Sequence, residues 1–278
     1  MSALASSTSR QVETASPGSR ALQRWAYSRA TGFVLIALLL VTWELSSRLG
    51  WIRSQNWPPF SSVLLATFRG LLSEELPLQL GSSLYRMSVG YVFGCAVGMF
   101  LGLLLGTVTV LDRFIRPLVE VLRTLPSPAL VPPLILFLGV DDALKVFIVA
   151  LTVQFPVFVN TYTAVRGLDE TLKLTARTLG VGRWATLQKI TLPAVLPSAL
   201  AGMRISLSLA LITTVVAEMI SGATGIGHYL MSMQYAMRPD AMYAAMICLA
   251  AVGYLLNWGF LAVERRLLFW HAPRVEAT

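Results

Sequence analysis

Six ionisable residues, Glu44, Arg86, Glu120, Arg123, Arg204 and Glu218, stand within or at the edge of long apolar runs. Placing such a group at the centre of a bilayer costs about 2.5–3.5 kcal/mol, so a charge retained there faces a cavity or a partner. Arg123 and Arg204 are candidate pathway or gate residues, suited to a path lining if the cargo is a small oxyanion, although their long stems also allow them to reach the headgroups. Glu218 suits an anion path poorly and is expected to serve as a structural or gating residue. Gly222, Gly225 and Gly227 follow it, and three glycines in six residues fit a re-entrant or sharply turned loop. Bond-making chemistry finds no assembled groups. None of the three lysines follows a glycine, so no GxxxxGK[ST] phosphate cradle exists, and HExxH, GxSxG and paired-carboxylate arrangements are missing. Cys95 and Cys248 are isolated in apolar runs, and His228 and His271 have no metal-ligand partner at helical spacing. No catalytic residue, metal site or cofactor site is therefore expected in this chain.

A second set of residues points to contact with another surface. The stretch from Arg166 to Gly202 reads RGLDETLKLTARTLGVGRWATLQKITLPAVLPSALAG. Two short helical stretches are expected on either side of Gly180 and Gly182, where glycine allows a turn with positive φ. Trp184, Leu187 and Ile190 fall on one helical face, flanked by Arg183 and Lys189. Pro193 and Pro197 are expected to reset the chain direction as it enters the next apolar run. Such a segment docks as a rigid knob in a partner's groove, or it lies in the headgroups with its basic residues on anionic lipid. The residues alone weigh these about equally.

The elements that carry these residues are set by hydropathy. The 278 residues are 55% hydrophobic and 13% charged, with mean hydropathy +0.67, against roughly 25% charged in soluble domains. The expected fold is all-α, a polytopic membrane helix bundle with about six transmembrane helices, since a span needs about 20 apolar residues. The spans are placed at about 30–49, 83–108, 115–137, 143–165, 196–221 and 241–263. The third holds Pro126, Pro128, Pro132 and Pro133 and is expected to be kinked or broken and packed inside the bundle. Residues 50–80 are expected to form an interfacial or periplasmic segment with a short helix at SSVLLATFRGLL. Residues 1–29 are expected as a disordered cytoplasmic tail, 30–268 as the membrane domain, and 269–278 as a cytoplasmic C-terminal tail. The net charge of +8 fits excess Lys and Arg on the cytoplasmic side rather than nucleic-acid binding. With the N-terminus inside, fourteen Lys and Arg fall in inner segments and five (Arg48, Arg53, Arg69, Lys145, Arg238) in outer ones. Gly90, Gly94, Gly98, Gly102 and Gly106 recur every four residues and form a close-packing stripe. Packing within the subunit is favoured over packing at a dimer interface.

Several of these stretches resemble one family. The loop is similar to the "EAA" loop of binding-protein-dependent ABC importer permeases: Ala176 stands at the second alanine, Gly180 at the glycine, and Ile190, Leu192 and Pro193 at the closing element. Leu174 and Thr175 depart from the Glu-Ala that opens the pattern. SSLYRMSVGYVFGCAVGMFLGLLLG, RPLVEVLRTLPSPALVPPLILFLGV and AEMISGATGIGHYL resemble segments of the nitrate, sulfonate and taurine permeases, in the same order. The resemblance implies a type I ABC importer permease in the bacterial inner membrane, with both termini cytoplasmic. It implies a coupling loop at about 166–195 seated in a cytoplasmic ABC ATPase that binds ATP and Mg. It also implies a periplasmic or lipid-anchored substrate-binding protein delivering cargo near Gly225 and Gly227, and a second permease copy around one path. The cargo class implied is a small solute such as nitrate, an alkanesulfonate or taurine. The alternative from a different class is a secondary transporter driven by an ion gradient, which needs coupling-ion sites near mid-depth.

Overall fold

The computed structural model describes residues 29–52 and 54–270. Apart from Arg29, Phe269 and Trp270, the expected tails 1–29 and 269–278 lie outside the described residues, as do Arg53 and His271. All regular elements among the described residues are helical. The chain divides into two units at Ser62.

The first unit holds α1 (Arg29–Arg48) and the segment that follows it. The apolar stretch of α1 stops at Trp43, because the next turn is polar and binds the chain ahead. The Glu44 carboxylate accepts the Ser61 amide and hydroxyl, both at 2.9 Å, and pairs with Arg48 at 2.6 Å. A carboxylate on backbone N–H groups at a helix start satisfies donors that have no partner inside the helix. Glu44 is thus engaged locally. The Trp43 indole donates to the Pro58 carbonyl and the Trp57 indole to the Ser46 hydroxyl, both at 3.0 Å.

The second unit begins within α2 (Phe60–Leu72), the short helix expected outside the spans. It continues through α3 (Glu75–Thr107), α4 (Thr109–Thr124), a 3-10 turn at Ser127–Leu130, α5 (Val131–Leu138) and α6 (Asp142–Arg166). It ends with α7 (Glu170–Thr178), α8 (Arg183–Thr186), a π turn at Leu187–Thr191, α9 (Leu192–Ser221), α10 (Ile226–Tyr235) and α11 (Pro239–Leu267). Four helical runs are long and apolar enough to cross a bilayer: α3, α6, α8 through α9, and α11. The bent pair α4 and α5 makes up to five, against the six expected; α1 lies at the first expected span, 30–49, without being one of these.

Three boundaries differ from expectation, each for a local reason. α3 starts at Glu75, eight residues before the expected 83, because Pro77 sits in its first turn, where a missing N–H costs no hydrogen bond. The third span is broken: Leu125, held extended ahead of Pro126, ends α4, and the pair turns through 93°. It is only partly buried, since Val131 packs with Leu144, Ile148 and Ala217 while Leu136 and Phe137 are exposed. Pro193 and Pro197 do not reset the chain. The π turn ahead of Pro193 shifts the hydrogen-bond register, and Arg183–Ser221 runs as one 39-residue helical stretch.

The core is α6 held between α3 and α9. Gly90, Gly94, Gly98, Gly102 and Gly106 all face α6. A Cβ at Gly90 would come within 2.8 Å of the Val146 carbonyl, one at Gly94 within 2.6 Å of that of Ala150, and one at Gly98 would meet that of Gln154. On the opposite side, Gly202 of α9 lies against the Pro156 carbonyl, and the Ser206 hydroxyl donates to the Val153 carbonyl at 2.8 Å. α10, read from sequence as loop, is a helix too short to span. It buries Ile226, Tyr229 and Leu230 against Leu76 and Leu80 of α3 and Ala241, Ala244 and Cys248 of α11.

Candidate functional site

Two of the six charges singled out in the sequence, Arg86 and Glu218, converge at the end of the bundle where α3 and α6 begin and α9 ends. Arg86 is 4% exposed and Glu218 is fully buried. All three guanidinium nitrogens of Arg86 are used: Nε donates to Asp142 Oδ1 at 2.7 Å, Nη1 to Glu218 Oε1 at 2.8 Å and to the Thr224 carbonyl at 3.0 Å, and Nη2 to the Thr224 hydroxyl at 2.6 Å. The Ser83 hydroxyl reaches both Glu218 oxygens, at 2.9 and 2.7 Å, and accepts the Ile226 amide. The Gly227 amide donates to Glu218 Oε2 at 3.0 Å, and the Gly225 amide to Gln79 Oε1 at 2.6 Å. Lys145, buried in α6 rather than lying in an outer loop, approaches Asp142 at 3.8 Å.

The glycines are what let the turn close on the carboxylate. Gly225 has φ +112°, and a Cβ there would fall on the Glu218 carboxylate. A Cβ at Gly227 would strike the Val215 carbonyl. Glu218, Gly225 and Gly227 therefore form one knot. Both carboxylate oxygens of Glu218 are occupied, so its chemistry is that of a brace between α3, α9 and the turn. A buried ion pair is sustained when its remaining hydrogen-bonding capacity is satisfied, as here.

Arg123 and Arg204 are elsewhere. Arg123 lies on α4 and pairs with Glu120 at 2.7 Å; both side chains are exposed. Arg204 opens onto a cleft of about 430 Å³ between α9 and α11, lined also by Ser208, Asn257 and Glu264. Glu264 Oε2 is buried there without a hydrogen-bond partner.

The 167–191 segment is built by a helix-terminating motif. α7 ends with the Val181 amide donating to the Ala176 carbonyl at 2.9 Å and the Leu179 amide to that of Thr175 at 3.0 Å, with Gly180 left-handed at φ +68°. The six-to-one bond around a left-handed glycine is the Schellman arrangement. Gly182 has φ −62° and opens α8. Ala176 is buried, whereas Leu174, Leu179 and Trp184 are 54%, 73% and 69% exposed. Arg183 and Lys189 are exposed beside them, and Leu187 and Ile190 are half-buried. At the start of α7, Asp169 Oδ1 accepts the Thr171 amide at 2.9 Å, which holds its carboxyl below the usual range.

Sequence reasoning did not reach Ser83, Gln79, Asp142 or Thr224. Ser83 and Gln79 carry no signal of their own inside an apolar helix. Asp142 read as a loop residue.

Residues 94–269 match a family described as binding-protein-dependent transport system inner membrane component. Over 247 residues the chain is 32% identical to the putative aliphatic sulfonates transport permease protein SsuC of Bacillus subtilis, covering 89% of this chain and 90% of the relative. It is 28% identical over 255 residues to the taurine transport system permease protein TauC of Escherichia coli, covering 89% and 93%. Among solved structures, an inward-facing conformation of the MetNI methionine ABC transporter superposes with TM-score 0.61 at 18% identity. That match covers 68% of this chain and 94% of the neighbour.

Proposed function

Because this chain belongs to the family of binding-protein-dependent transport system inner membrane components, we propose that its path carries a small organosulfonate and that a separate ATP-binding-cassette subunit drives it. The permease role comes with the family and decides against an ion-gradient-driven secondary transporter. The cargo class rests on the aliphatic sulfonate and taurine permeases among its relatives. Arg204, which opens onto its cleft, supplies the kind of donor a sulfonate takes.

The single observation that supports ATPase coupling is the 167–191 segment. It presents Leu174, Leu179 and Trp184 to the outside beside Arg183 and Lys189, on a backbone stiffened by the Gly180 turn. Exposed apolar side chains on helices joined by a fixed turn fit a groove of another protein. The segment is the coupling loop of about 166–195, and Ala176, Gly180, Ile190, Leu192 and Pro193 are its framework. Leu174 and Thr175, where relatives of the loop pattern carry Glu-Ala, make the contact apolar instead of ionic. ATP and Mg are bound by the partner ATPase. A periplasmic or lipid-anchored binding protein delivers the cargo at the Gly225–Gly227 end, and a second copy of this chain completes the path.

Both termini face the cytoplasm. Lys145 is buried, so the Lys and Arg balance becomes fourteen inside against four outside. In this orientation the Arg86–Glu218 knot lies on the outer side and the loop on the inner side.

Reconstitution tests the proposal. Proteoliposomes holding the permease, its ATPase and its binding protein are expected to accumulate a labelled alkanesulfonate or aminoalkanesulfonate with ATP inside the compartment facing the loop and no ion gradient. Uptake that follows an imposed proton or sodium gradient and ignores ATP would overturn it.

A further inference from the structure

A second polar cluster lies at the opposite end of the bundle from the Arg86–Glu218 knot, where α6 runs into the 167–191 segment. Tyr162, in the last turns of α6, donates its hydroxyl to Asp112 Oδ2 at 3.1 Å and accepts Arg116 Nη1 at 3.3 Å. Its ring stacks on Phe158 with centroids 5.7 Å apart and has the guanidinium groups of Arg116 and Arg166 at 5.5 and 6.0 Å. Asp112, in the first turn of α4, is 6% exposed, yet its Oδ1 is buried with no hydrogen-bond partner. Arg166 Nη2 stands 4.0 Å from Asp112 Oδ2, at the outer limit of an ion pair.

Asp112 thus holds Tyr162 through one oxygen and keeps the other able to accept a second donor. The apolar seam beneath, Leu105, Val119 and Phe158 with Leu111 and Ile115, already joins α4 to its neighbours. Arg166 is the last residue of α6, and Gly167 follows it, so any movement of the segment beyond reaches Arg166 first. α4 in turn ends at the 93° break before α5.

We propose that Asp112, Tyr162 and Arg166 form a two-position latch in which Asp112 holds the Tyr162 hydroxyl in this state and takes up Arg166 when the loop moves. Tyr162 is then a positioning residue: it makes α4 follow α6, so that the stroke of the ATPase reaches the broken span. An element with two discrete arrangements, biased from one site, is what carries coupling between distant sites. The inference rests on the importer reading above.

The test is the number of solutes moved per ATP hydrolysed in the reconstituted complex. Tyr162→Phe keeps the ring, the stack and the seam and removes only the hydroxyl. Asp112→Asn keeps an oxygen that can accept the Tyr162 hydroxyl and removes the charge that takes up Arg166. Uptake is expected to fall about five- to tenfold in each, the effect of one lost polar contact on a coupling equilibrium, while ATP hydrolysis stays near the wild-type rate. The double variant is expected to lose no more than the worse single one, because each disables one of the two positions of the same latch. Wild-type stoichiometry in Tyr162→Phe would overturn the latch, and so would a loss of uptake and hydrolysis in equal proportion. Should Asp112→Asn fail to reach the membrane, Tyr162→Phe decides alone. A wild-type complex with no ATP-driven uptake would sink the importer reading instead.

Discussion

At the scale of single residues, the outer knot behaves as one unit. Truncating Glu218 leaves the Arg86 guanidinium buried with its one fully buried counter-charge gone and only the half-exposed Asp142 beside it. Glu218→Ala is expected to cost about 3–5 kcal/mol, read as a large fall in the unfolding temperature of the detergent-solubilised protein. Gly225→Ala should be damaging for two reasons at once, an unfavourable φ of +112° and a Cβ on the carboxylate. Stability equal to wild type in either variant would contradict the knot. Arg86 and Glu218 were conspicuous in the sequence as rare charges in apolar runs. Their pairing was not legible, because they are 132 positions apart and no local pattern links them. The Gly225 turn read as a loop for the right reason, but its purpose, admitting a carboxylate from the preceding helix, depends on that unseen contact.

At the scale of elements, the α3 stripe tests how the helices are held. Gly98→Leu would drive a side chain into the backbone of α6 at Gln154. Overpacking of this kind costs about 1–3 kcal/mol in well-packed cores. The expected outcome is reduced abundance of folded protein in the membrane; an unaffected level would show that α3 and α6 do not meet there. Gly180→Val meets open space, so its cost is purely that of a left-handed backbone, about 1–2 kcal/mol. The prediction is a frayed end of α7, faster amide exchange at Val181, and ATP hydrolysis uncoupled from uptake.

The start of α7 should be sensitive to acid. The Thr171 amide lowers the Asp169 carboxyl below its unfolded value, so the cap is fully present above that value and is lost as pH falls through the lower, folded one. Asp169→Asn keeps the cap without the titration. Its α7 amide exchange should therefore show no such acid transition. The periodic features among these elements were legible, namely the long apolar runs, the four-residue glycine repeat and the proline-broken span. The prolines after the loop were misread, because a π turn can absorb Pro193 without bending the helix, and nothing in LQKIT marks one. α10 escaped notice because ten residues bounded by glycines look like loop until Leu76 and Leu80 supply the surface they cover.

At the scale of the whole molecule, the chain has two kinds of exposed apolar surface. On the long helices, residues such as Val92, Phe93 and Phe100 of α3 suit lipid. Leu174 lies on α7, nine residues long and too short to span, Leu179 just after it, and Trp184 in the first turn of the Arg183–Ser221 run beside Arg183; lipid does not explain them as well as a protein groove does. Family and general fold were readable from the order of motifs, whereas the direction of each exposed face required the packed structure. The central claim, that this segment engages an ATPase, can be measured with little background because Cys95 and Cys248 are both buried. Trp184→Cys, carrying a short photo-crosslinker in the assembled complex, is predicted to form an adduct with the ATPase subunit and to be shielded from impermeant thiol reagents applied outside intact cells. Labelling from outside, with no ATPase adduct, would contradict the account.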